Sequence, residues 1–155
     1  MIGEKIILKK PMFYTRDSHY PAGMVDGAQI PQYFGDMIIE LMMRAAGCRG
    51  RIRRYKTVDF TFPVYIGDVV EYQAWIESRD GCSFEVHFEA YVVQTMTDEF
   101  KLRHKFGITR PETKKDLGYE GPMLCDPPIH CGAAIAIVEV RPEEYRGPQD
   151  VAFSN

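Results

Sequence analysis

Residues 27–46 limit the possible folds more than any other stretch of this chain. Ile30, Phe34, Ile38, Leu41 and Ala45 recur there at steps of three and four, which puts them on one stripe of a helix. Asp26 is a capping residue type, Gly47 supplies a stop, and Pro31 is tolerated in a first turn, where its missing N–H has no partner to lose. Gln32, Asp36, Glu40 and Met43 fall on a neighbouring face, so Asp36 and Glu40 stack one turn apart. No other segment carries a convincing helical period. A lone helix with a single apolar stripe has to be covered along that stripe by a sheet.

The rest of the chain reads as strands. Residues 4–10 form a short first strand, and Pro11 and the Pro21–Gly23 stretch keep residues 11–25 irregular. Residues 52–62 are rich in β-branched and aromatic types, "PVYIGD" makes a turn, and residues 69–79 alternate up to the Asp80–Gly81 hairpin. Residues 82–94 alternate sharply, with Phe84, Val86, Phe88, Ala90 and Val92 opposite Glu85, His87, Glu89 and Tyr91. A last strand is expected at 132–140, after a polar stretch at 97–128 that reads as an inserted loop or lid. The expectation is a single α+β domain over residues 1–155, an antiparallel sheet wrapped around one long central helix. This is the hot-dog fold. One such layer leaves its helix poorly covered, so a dimer with a continuous sheet is expected, with helix starts and loops of both chains at a shared cleft.

Composition excludes several classes. At 155 residues and 45% apolar content one core is ample, and a net charge of −3 argues against a nucleic-acid partner. No apolar run is long enough to cross a membrane, and no export signal is apparent, so a cytoplasmic protein with reduced thiols at Cys48, Cys82, Cys125 and Cys131 is expected. Cys125, His130 and Cys131 lack the paired spacing of a structural zinc site, and no phosphate-binding or dinucleotide glycine motif is present.

Several motifs together resemble the hot-dog aminoacyl-CoA ammonia-lyases: "DSHY" at 17–20, "MVDGAQI" at 24–30, "YFGD" at 33–36, "VDFTFPVYIGDVVEY" at 58–72, "FEAYVV" at 88–93, "DPPIHCG" at 126–132 and "RGPQ" at 146–149. The resemblance implies reversible removal of ammonia from a 3-aminoacyl-CoA such as β-alanyl-CoA or 3-aminobutyryl-CoA, in amino-acid fermentation. It further implies no cofactor beyond the coenzyme A of the substrate, and assembly as a homodimer or as three such dimers in a hexamer. "PAG" at 21–23 departs from the family pattern, and residues 98–124 look like an insertion. Thioester hydrolysis and non-catalytic acyl-CoA binding are the competing readings, because fold alone does not separate them.

Elimination from a thioester needs donors for a developing enolate oxygen, a base for the α-hydrogen and a site for a cationic amine. The helix start at Asp26, Gly27 and Ala28 offers uncrowded amides at the positive end of a dipole. Asp36, about two and a half turns along, is where related hot-dog enzymes place an acidic residue facing the partner's cleft, and is the expected base. Asp17, Glu40 and Glu89 are further carboxylates for the amine, His19 is a proton relay and Tyr20 a hydrogen-bond partner of the amine or the thioester oxygen. Each has a plainer alternative: a solvated helix face for Asp36 and Glu40, a braced turn for Asp17 and His19, a cross-strand ion pair for Glu89. Arg51, Arg53, Arg54 and Lys56 either meet the coenzyme A phosphates or form a charged strand edge, with Arg51, Arg53 and Tyr55 expected on one face and Arg54 and Lys56 on the other.

Overall fold

The computed structural model describes residues 2–12, 24–96 and 122–149. The elements are β1 (Ile6–Pro11), α1 (Gln29–Ala46), β2 (Arg51–Phe60), β3 (Val69–Asp80), β4 (Ser83–Met96) and β5 (Pro122–Glu139), followed by a 3-10 turn at Pro142–Glu144. The strands form one antiparallel sheet in the order β1-β3-β4-β5-β2, so β1 and β2 are its edges among the described residues. Among the described residues no helix is long and apolar enough to cross a membrane.

The helix packs on one face of this sheet because both sides supply matching surfaces. On α1 the buried set includes Ile30, Phe34, Ile38, Leu41 and Ala45, the stripe expected from the sequence, and widens to Tyr33, Met37, Met42 and Ala46. Facing it are Phe84, Val86, Phe88, Ala90 and Val92 of β4, also as expected, with Val70, Tyr72, Ala74 and Ile76 of β3. Phe34 stacks on Phe88 with ring centroids 4.5 Å apart and meets Tyr72 edge-on at 5.8 Å. Small residues let the helix approach β5: a Cβ on Gly132 would stand 3.2 Å from Ile30 Cδ1 and 3.3 Å from the Asp59 carbonyl.

The start of α1 differs from expectation. The helix begins at Gln29, two residues late, and its N-cap is Ala28, whose side chain makes no capping bond. Asp26 and Gly27 instead form a turn whose carbonyls accept from the Gln29 and Ile30 amides at 3.0 and 3.2 Å. Pro31 remains within the first turn. At the other end Gly47 is left-handed (φ 68°) and its amide donates to the Met43 carbonyl. The "RGPQ" segment completes that end: the Arg146 amide donates to the Ala46 carbonyl at 2.9 Å and the Gln149 amide to the Arg44 carbonyl at 2.7 Å.

β5 also departs from expectation, since it starts at Pro122 rather than 132 and takes the last residues of the expected loop into the sheet. Residues 97–121 lie outside the described residues. "PVYIGD" is a structural knot. The Asp68 carboxylate is fully buried, accepting from the Tyr65 amide at 2.9 Å and the Thr95 hydroxyl at 2.6 Å, while the Met12 amide donates to the Asp68 carbonyl at 2.9 Å and ties the end of β1 to the start of β3.

Candidate functional site

The turn before α1 is stitched down: the Val25 amide donates to the Val64 carbonyl at 2.7 Å, and Met24 bridges to Tyr65. This leaves a cavity of ≈ 300 Å³ at the helix start, walled by Met24 to Gly27 and Ile30 on one side and by Phe60 to Val64 with Tyr72 on the other. Asp26 and Gly27 therefore line a real cavity, with Ala28 next in line as the cap. The amides of Gly27 and Ala28 have no main-chain acceptor among the described residues, so the positive end of the helix carries open donors there.

Asp36 and Glu40 stack as expected, but they open on a different groove. It measures ≈ 520 Å³ and runs between α1 and β1, with Lys5, Lys10 and Arg44 along its walls. Glu40 is held by Arg44, one turn on, at 2.6 Å, and Lys10 lies 4.7 Å from the centroid of the Tyr33 ring. Asp36 is exposed. Asp17, His19 and Tyr20 lie outside the described residues.

Glu89 sits on the outer face of the sheet and accepts the Tyr91 hydroxyl. That bond to a carboxylate, with burial and the charges of Glu89 and Glu71 behind it, pushes the Tyr91 phenol up to about 12.

The basic run does not follow simple alternation. Two irregularities, between Ile52 and Arg54 and between Tyr55 and Thr57, shift the register of β2. Arg51 and Arg54 consequently stand opposite Glu139 and Ile137, whereas Ile52 and Tyr55 stand opposite Val138 and Ala136 of the core face. The expected grouping of Arg51 and Arg53 with Tyr55 is thus broken by the bulges. Arg51 pairs with Glu144 (3.7 Å), Arg53 with Glu139 (3.1 Å) and Lys56 with Glu85 (3.1 Å); the first two pairs are exposed, and in the third Glu85 is half-buried. Arg54 has no carboxylate partner among the described residues.

No family model matches the chain. A 3-aminobutyryl-CoA ammonia lyase of Acetoanaerobium sticklandii is 38% identical over 86 residues, which cover 56% of this chain and 68% of that protein. The solved structure of beta-alanyl-CoA:ammonia lyase from Clostridium propionicum is 33% identical, with a TM-score of 0.79, covering 97% of this chain and 94% of that one. The chain belongs to the aminoacyl-CoA ammonia-lyase family. A hexameric hot-dog thioesterase of Campylobacter jejuni, 17% identical with a TM-score of 0.60 over 91% of this chain and 86% of that one, shares the fold alone.

Against this family background one motif gains a physical meaning. "DPPIHCG" carries His130, whose Nδ1 lies 2.8 Å from the Thr61 hydroxyl, and Cys131, whose carbonyl accepts the Thr61 amide at 3.1 Å. Together they fix the cavity wall after β2. Phe60, Thr61 and Tyr72 were not singled out by sequence reasoning, and their only signal was membership of the "VDFTF" and "VVEY" matches to the family.

Proposed function

We propose that the protein is a lyase that reversibly removes ammonia from a 3-aminoacyl-CoA, such as 3-aminobutyryl-CoA or β-alanyl-CoA, to give an enoyl-CoA. The reading is carried by the likeness to beta-alanyl-CoA:ammonia lyase over 97% of this chain at 33% identity. Amino-acid fermentation in the cytoplasm is the setting such a reaction fits.

The chemistry follows from the two grooves. A thioester oxygen placed against the open amides of Gly27 and Ala28 meets preorganised donors at the positive helix end. Asp36 takes the α-hydrogen, the electron pair moves onto that oxygen, and its return forms the carbon–carbon double bond as the carbon–nitrogen bond breaks. Ammonia leaves and takes up the proton held by Asp36, so the balance closes without a cofactor. Since Asp36 and Gly27 open on separate grooves of one chain, we assign them to different chains of a homodimer, or of three such dimers in a hexamer. His19 and Tyr20 complete the proton path, and Asp17 adds negative charge for the amine. Glu40 is committed to Arg44 and acts by fixing the charge beside Asp36, while Glu89 is left as the partner of Tyr91. Of the basic run, Arg54 is the side chain free for a coenzyme A phosphate, with Arg51, Arg53 and Lys56 reaching one only by exchanging their carboxylate partners.

One assay tests the reading. Protein incubated with crotonyl-CoA or acryloyl-CoA and ammonium is expected to consume the enoyl absorbance without releasing free thiol. Release of coenzyme A instead would make the protein a thioesterase, and binding of the ester with neither change would leave an acyl-CoA binding protein.

A further inference from the structure

We propose that Phe60, with Asp26 beside it, recognises the cationic amine of the substrate: its ring is the ammonium-binding face of the helix-start cavity. The inference rests on the reading of Gly27 and Ala28 as donors to the thioester oxygen. Phe60 ends the edge strand β2 and is 57% exposed. Its ring lies against the helix start: Cε1, Cζ and Cδ1 stand 3.3, 3.5 and 3.7 Å from where a Cβ on Gly27 would be. A Cβ at 27 would crowd the ring, which would have to give by a few tenths of an ångström.

Substrate geometry supplies the next step. In a 3-aminoacyl thioester four bonds separate the carbonyl oxygen from the amine nitrogen, so the two lie within about 5 Å of each other. An oxygen seated on the Gly27 amide therefore brings the amine into the shell occupied by the Phe60 ring. The positive end of α1 disfavours an ammonium there, and negative compensation has to come from the cavity wall. The wall provides it in two forms, the electron-rich face of an exposed aromatic ring and the carboxylate of Asp26.

The test uses two unreactive esters of equal shape, both without an α-hydrogen: 3-amino-2,2-dimethylpropionyl-CoA, and 2,2-dimethylbutyryl-CoA, in which a methyl group replaces the ammonium. Calorimetric titration is expected to show tighter binding of the amino ester by the wild-type protein. Phe60→Leu should reduce that preference by roughly 3- to 30-fold while changing the affinity for the neutral ester by less than about threefold, and Phe60→Tyr should retain it. The proposal is overturned if the wild type shows no preference, if the preference survives Phe60→Leu, or if both esters weaken equally. Crotonyl-CoA amination by the wild type is scored separately. A preference lost in Phe60→Leu without amination would sink the lyase reading alone, and amination with an unaffected preference would sink the role of Phe60 alone.

Discussion

Asp36 is the residue on which the proposed chemistry turns, and its surroundings make a clean experiment possible. It is exposed and outside the buried stripe of α1, so Asp36→Asn should leave the thermal midpoint nearly unchanged. Turnover in the amination assay is expected to fall by about 10²- to 10⁴-fold, the usual weight of general acid–base catalysis. An unchanged rate would remove Asp36 from the mechanism. The stacking of Asp36 on Glu40 was legible in the sequence because helical spacing is a local property. The commitment of Glu40 to Arg44 was legible in principle by the same rule, as an i to i+4 pair. The role proposed for Phe60 was not, because its neighbour Gly27 lies far away in sequence, in the turn before α1, and only the folded chain brings them together. Alternation misassigned the faces of Arg51 and Arg53 for a related reason, since a bulge leaves no local mark in a run of charged residues.

At the scale of elements, the turn between β2 and β3 does more for the fold than its length suggests. Asp68 joins the Tyr65 amide, the Thr95 hydroxyl and, through its main chain, the end of β1. Asp68→Ala would strand buried donors and is expected to cost about 2–4 kcal/mol in urea denaturation. A loss well under 1 kcal/mol would show that the turn holds without the carboxylate. β5 shows why a strand can be missed. Asp126, Pro127 and Pro128 read as breakers, yet the pairing of β2 with β5 runs out at Gly132 while that of β4 with β5 continues to Pro122. The prolines sit in an irregularity of that remaining ladder, where Val92 pairs with Ile129, Gln94 pairs with Leu124 and residues 125–128 are left unpaired, so their missing N–H groups interrupt no pairing. Their cost depends on where the ladder bulges, which no local pattern records.

For the whole molecule the exposed length of β2 sets the terms of assembly. All ten of its residues are exposed or half-buried, Ile52 and Phe60 among them at 42% and 57%. An edge of that length is a template for another chain. We expect sedimentation to give a dimer or a multiple of it at micromolar concentration, and Ile52→Lys to weaken that association at least about tenfold. A monomeric wild type would refute the two-chain site along with the assembly. The junction between α1 and the "RGPQ" segment bears on biosynthesis. The carbonyls of Arg44 and Ala46 wait for amides at Gln149 and Arg146, roughly a hundred positions later in the order of translation. The final turn of the helix therefore stays unfinished while the intervening sheet is being made, and closes only when this late segment leaves the ribosome.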